Sequence, residues 1–142
     1  MNIAVKISLL SSGLFLLLGM LIGIVKYQRM MSAPEHAAPV YIDIAHRVAF
    51  FYSFAMLVIA KLLEYSPYAV WLQISAITLI LVFFISTVFG HLFNGLKNKT
   101  DNIFRERSFS TTWYMYLLIP AHIGGLGIII WGFISTQFFS MK

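Results

Sequence analysis

Three histidines, His46, His91 and His122, fall inside strongly apolar stretches of this chain. Neutral imidazole suits such a place. One nitrogen donates a hydrogen bond while the other keeps a lone pair for a metal. Charged residues inside a membrane span cost about 2.5–3.5 kcal/mol each on insertion scales, so ionisable groups there face protein or a cavity and mark function. Two readings of the three histidines stand. In one, His46, together with His91, His122 or both, holds a metal centre. In the other, each imidazole bonds a neighbouring helix or faces lipid headgroups.

The residues around them sharpen both readings. Asp43 precedes His46 by three positions and Arg47 by four, so on a helix it reaches either. A carboxylate on the outer nitrogen of His46 would orient the ring for a metal; an Asp43–Arg47 pair at the membrane surface is the plainer outcome. Tyr52, six residues past His46, lies about 9 Å deeper and roughly 120° round the helix. It either enters the same cavity at an angle or packs. Thr87, His91 and Asn94 form a polar stripe that should face protein or a cavity. Around His122, "IPAHIGGLG" places Pro120, Gly124, Gly125 and Gly127, which leave room for a close helix or a flat macrocycle.

Ligand chemistry narrows the metal. The chain has no cysteine, which excludes thiolate and iron–sulfur centres. Few carboxylates lie at the depth of the histidines, which disfavours calcium and magnesium. A three-histidine zinc site is chemically possible. Haem needs one or two histidines and an aromatic slot. Phe50, Phe51, Phe54, Phe83, Phe84, Phe89 and Phe93 supply one, although they serve equally as packing. His36, beside Glu35, reads as a solvated linker residue. No nucleophile elbow, phosphate-binding loop, dinucleotide fingerprint or HExxH element occurs, so hydrolase and phosphoryl-transfer chemistry have no footing.

The elements that must position these residues follow from composition. Of 142 residues, 60% are hydrophobic and 11% charged. A soluble domain of this size cannot hide that much apolar surface, so the class is integral membrane protein. Spans of about 20 apolar residues cross the hydrocarbon core. Four are predicted, at about 3–25, 40–63, 68–96 and 113–139, forming one domain: an all-α, up-down four-helix bundle. The run after Lys6 continues from Ile7 to Val25, longer than a signal-peptide core, and reads as a retained helix. "EYSPY" reads as a tight turn. "GMLIG" places Gly19 and Gly23 at the spacing for close helix approach, within the chain or between copies.

The net charge of +5 reads as asymmetry across a bilayer. Lys26, Arg29, Arg47, Lys97, Lys99, Arg105 and Arg107 fall on the side of the two long linkers, against Lys6, Lys61 and Lys142 on the other. Positive charge marks the cytoplasm, so the linkers are expected inside and both termini outside, as in a bacterial inner-membrane protein. The three histidines then lie at depths of roughly 8–14 Å from the linker side. They are expected to meet on one level.

Some short pieces of the chain have a known counterpart. The "AH" of Ala45–His46, the "LF" of Leu92–Phe93 and the "PA" of Pro120–Ala121, in a four-helix layout spanning about Pro34 to Phe133, resemble styrene oxide isomerase. The resemblance implies b-type haem at the subunit interfaces of a trimer, held by a single histidine at the position of His46. It implies ferric iron acting as a Lewis acid that opens an epoxide to an aldehyde without net redox change. Two positions depart: Tyr52 stands where that family has asparagine, and His91 where it has tyrosine. A histidine at 91 could serve instead as a sixth iron ligand and close the site for electron transfer.

The sequence therefore predicts a homo-oligomer in the lipid bilayer that binds haem b through His46. Tyr52 or His91 would assist as a hydrogen-bond donor toward a small lipophilic substrate. A bis-histidine electron carrier or subunit of a larger complex is the first alternative. A bundle with purely structural histidines is the second.

Overall fold

The computed structural model describes residues 1–105, 108–109 and 111–139; Arg107 and Lys142, counted above in the charge asymmetry, lie outside them. Four helices account for most of the chain: α1 (Ile3–Ser32), α2 (Val40–Glu64), α3 (Val70–Lys97) and α4 (Trp113–Phe138). Each is long and apolar enough to cross a membrane. Among the described residues there is no strand. The chain is an all-helical, integral membrane four-helix bundle, as its composition required.

The helix ends have local causes. Asn2 caps α1, its side-chain oxygen accepting from the Val5 amide at 3.0 Å, which satisfies one of the amides a helix start leaves open. At its far end α1 runs past the predicted Val25 to Ser32. Nothing in "KYQRMMS" breaks a helix, and the first obstacle is Pro34, which disfavours helical geometry in the residue before it. The first linker is therefore short. Pro39 precedes the first residue of α2, where its missing amide is harmless. The α2–α3 turn is wider than foreseen, and α3 begins at Val70 rather than at Tyr68. Buried Gln73 explains the hold there: its amide donates to the Tyr68 carbonyl at 2.8 Å, and its oxygen accepts from Asn2 at 2.9 Å. Asn98 closes α3 in the left-handed conformation, φ 44°, which asparagine tolerates better than most residues.

In the packing, α2 and α3 form the central pair. Each of α1 and α4 touches both, while α1 and α4 do not touch one another among the described residues. The core between them is built from Ile22, Ile42, Met56, Ile77, Ile80 and Ile129, all nearly inaccessible. Glycine permits the closest crossings. A Cβ on Gly95 would lie 2.5 Å from the Ile42 amide nitrogen, and one on Gly125 would lie 2.8 Å from the Ala76 carbonyl oxygen. The outer surface is apolar, with Leu10, Leu17, Phe51, Phe54 and Trp131 exposed to the bilayer.

Candidate functional site

His46 sits where α2 crosses α1. Its Nδ1 lies 2.9 Å from the Gly19 carbonyl oxygen. A carbonyl only accepts, so Nδ1 carries a proton, and in the neutral ring the lone pair lies on Nε2. The ring also meets the edge of Phe50, with centroids 5.0 Å apart at 84°. The predicted small-residue pair makes both contacts possible within the chain. A Cβ on Gly23 would come within 2.9 Å of His46 Cε1, and one on Gly19 within 3.2 Å of Phe50. Lower on the same seam, the Ser12 hydroxyl donates to the Ser53 carbonyl at 2.9 Å. Nε2 is not sealed inside the protein and takes no hydrogen bond from a described residue.

Asp43 does not orient the imidazole. It bridges two cations, Lys26 and Arg47, each at 2.6 Å. The Arg47 half of this bridge was legible from the spacing; the Lys26 half joins α1 to α2 across the seam. A backbone carbonyl thus takes the part expected of the carboxylate.

The other two histidines have other neighbours. His91 stacks on Tyr41, centroids 5.6 Å apart at 11°, and the Tyr41 hydroxyl accepts from the Ile103 amide at 2.7 Å, pinning the second linker to α2. His122 rests on Phe83 and Phe84, at 4.4 and 5.3 Å. The Nδ1 atoms of both histidines are buried and find no partner among the described residues. No three His, Asp or Glu side chains among those residues are grouped to hold a metal ion, so the expected meeting of three imidazoles does not form. Neither depth nor direction is shared: His91 lies level with Tyr41, whereas His122 rests on Phe83 and Phe84, about 10–12 Å further along α3. Tyr41 and His46 project about 140° apart on α2, which separates their neighbourhoods.

Tyr52 also has other neighbours than His46. It stacks on Phe84 at 3.8 Å and 3° and meets Phe15 edge-on at 6.0 Å. Asn94 in the α3 stripe bonds its own helix, donating to the Gly90 carbonyl at 2.8 Å. Lys61 and Glu64, three residues apart near the end of α2, pair at 2.7 Å. Of the glycines near His122, Gly125 meets α3, whereas Gly124 and Gly127 face open space.

Two membrane-facing grooves flank the central pair. One, about 360 Å³, lies between α1 and α3 and is lined by Leu14, Phe15, Leu18, Leu81 and Phe89. The other, about 410 Å³, lies between α2, α3 and α4, and includes Phe51, Tyr52, Phe84, His122 and Leu126. The sequence pointed to Tyr52 and His122 but not to their sharing a wall. A shared wall depends on helix rotation, which no spacing within one helix encodes. No family model, curated protein or solved structure matches the chain.

Proposed function

We propose that this protein binds haem b through His46, as a homo-oligomer in a bacterial inner membrane with both linkers in the cytoplasm and both termini outside. The observation that carries the reading is the 2.9 Å bond from His46 Nδ1 to the Gly19 carbonyl. It fixes the ring and its tautomer and leaves Nε2 as a ligand, the arrangement that metal-bound histidines favour. His91 and His122 lack such an anchor.

The surroundings fit a flat apolar group. Phe50 lies against the ring, and Phe54 (63% exposed) and Leu57 (50% exposed) continue the same flank of α2 toward lipid. A second copy of the chain on that flank would shield the far side of the haem, in keeping with the trimer that the resemblance to styrene oxide isomerase implies. Ferric haem held by one histidine supplies a Lewis acid, suited to opening a small lipophilic epoxide toward an aldehyde. What this chain contributes is ligand orientation and exclusion of water. Tyr52 and His91 do not face His46 within one chain, so the reading rests on His46 alone.

The absorption spectrum of protein purified after haem-replete expression tests this. A Soret band is expected, lost in His46→Ala and shifted in the ferric wild type by cyanide or added imidazole. Colourless wild-type protein refutes haem binding, and a band retained in His46→Ala refutes the ligand. An epoxide-to-aldehyde assay on the haem-loaded protein then tests the isomerase activity.

A further inference from the structure

The groove between α2, α3 and α4 is separate from the His46 seam. Its α2 wall is formed by Phe51, Tyr52, Ala55, Val58 and Ile59, which point on average to the face of α2 opposite His46. Aromatic rings line it on two helices, with Tyr52 stacked flat on Phe84 and His122 tilted against the same phenyl ring. At about 410 Å³ it lies in the range of small-molecule sites, which combine apolar walls with a few placed polar groups.

His122 sets what the groove accepts. Neither of its ring nitrogens bonds a described residue, and Nδ1 is sealed against the chain. Inside a bilayer no water is at hand, and a buried polar group without a partner costs about 1–3 kcal/mol. Nε2 is the nitrogen left open to an incoming molecule. A lipid acyl chain would fill the space and leave the imidazole unsatisfied. A hydroxyl both donates and accepts, so it pairs with Nε2 in either tautomer, and an aromatic ring suits the aromatic lining of Phe51, Tyr52 and Phe84.

We infer that this groove is a binding site for a small hydroxyaromatic molecule, a phenol or naphthol, whose hydroxyl hydrogen-bonds His122. The site stands independently of haem at His46.

The test uses full-length, ¹⁵N-histidine-labelled protein in phosphatidylcholine nanodiscs, titrated with 2-naphthol and with naphthalene. Saturable 2-naphthol binding is expected, about tenfold tighter than naphthalene, the worth of roughly one net hydrogen bond, with a shift of the His122 ring nitrogens. His122→Phe should lower 2-naphthol affinity to the naphthalene level and leave naphthalene unchanged. Leu126→Trp should block both while the helices melt as in wild type. His46→Ala should bind 2-naphthol normally even where haem is lost; loss of binding there would move the site to the seam and overturn the assignment. Equal affinity for the two probes, unaffected by His122→Phe, overturns it, as does uptake no different from empty nanodiscs.

Discussion

The α1–α2 seam and the α4 side of the bundle treat a membrane histidine in opposite ways. On the seam, Gly19 and Gly23 strip side chains from α1, so His46 reaches a backbone oxygen and is held at 2.9 Å. On the α4 side, His122 has phenyl rings beneath it and no hydrogen-bond partner among the described residues. The difference lies in what faces the imidazole. A bare helix backbone offers an acceptor; a phenyl face offers only packing. The first arrangement presets a ligand, and the second leaves a polar group for a guest to satisfy.

Substitutions can break this contrast from either side. The largest effect is expected from Gly125→Ala, whose new Cβ meets the Ala76 carbonyl oxygen at 2.8 Å. Backbone cannot swing aside, so α4 must shift on α3, at about 2–3 kcal/mol. Thermal unfolding in detergent micelles, followed by circular dichroism, measures it. Gly23→Ala should cost less, about 1–2 kcal/mol, because its Cβ meets His46 Cε1 at 2.9 Å and a side chain can rotate away. Its sharper consequence is loss of the Gly19 bond, so the ferric haem spectrum should change more than the melting curve. Gly127→Ala is the smallest change and opposite in sign. With open space around the new methyl, the helix should gain about 0.5–1 kcal/mol. A destabilised Gly127→Ala would mean that α4 is covered there by a second copy.

The small-residue motif shows how far sequence reading reached. Gly19 and Gly23 were legible as a close-approach pair, and Asp43 with Arg47 as a one-turn ion pair, because both depend only on spacing along one helix. The histidines show where it stopped. Counting residues suggested a common depth, yet His46 meets Gly19, His91 meets Tyr41 and His122 meets Phe83, a full eight residues from His91 along α3. Residues 27 positions apart, such as Gly19 and His46, share no local pattern. The carbonyl that orients the imidazole leaves no mark of its own in a sequence, since every residue carries one.

Composition and apolar run lengths by themselves determined that this chain forms four membrane-crossing helices, and proline, asparagine and polar tracts set where those helices stop. Hydrophobic burial in a bilayer is nearly one-dimensional, a matter of how many apolar residues follow one another, so it is written along the chain. The rotation of each helix about its axis was decided only by tertiary packing: which glycine of "GGLG" meets α3, which flank of α2 meets α1, and which histidine finds an acceptor. That choice depends on side chains from several helices interlocking at once, and no single stretch of sequence contains it.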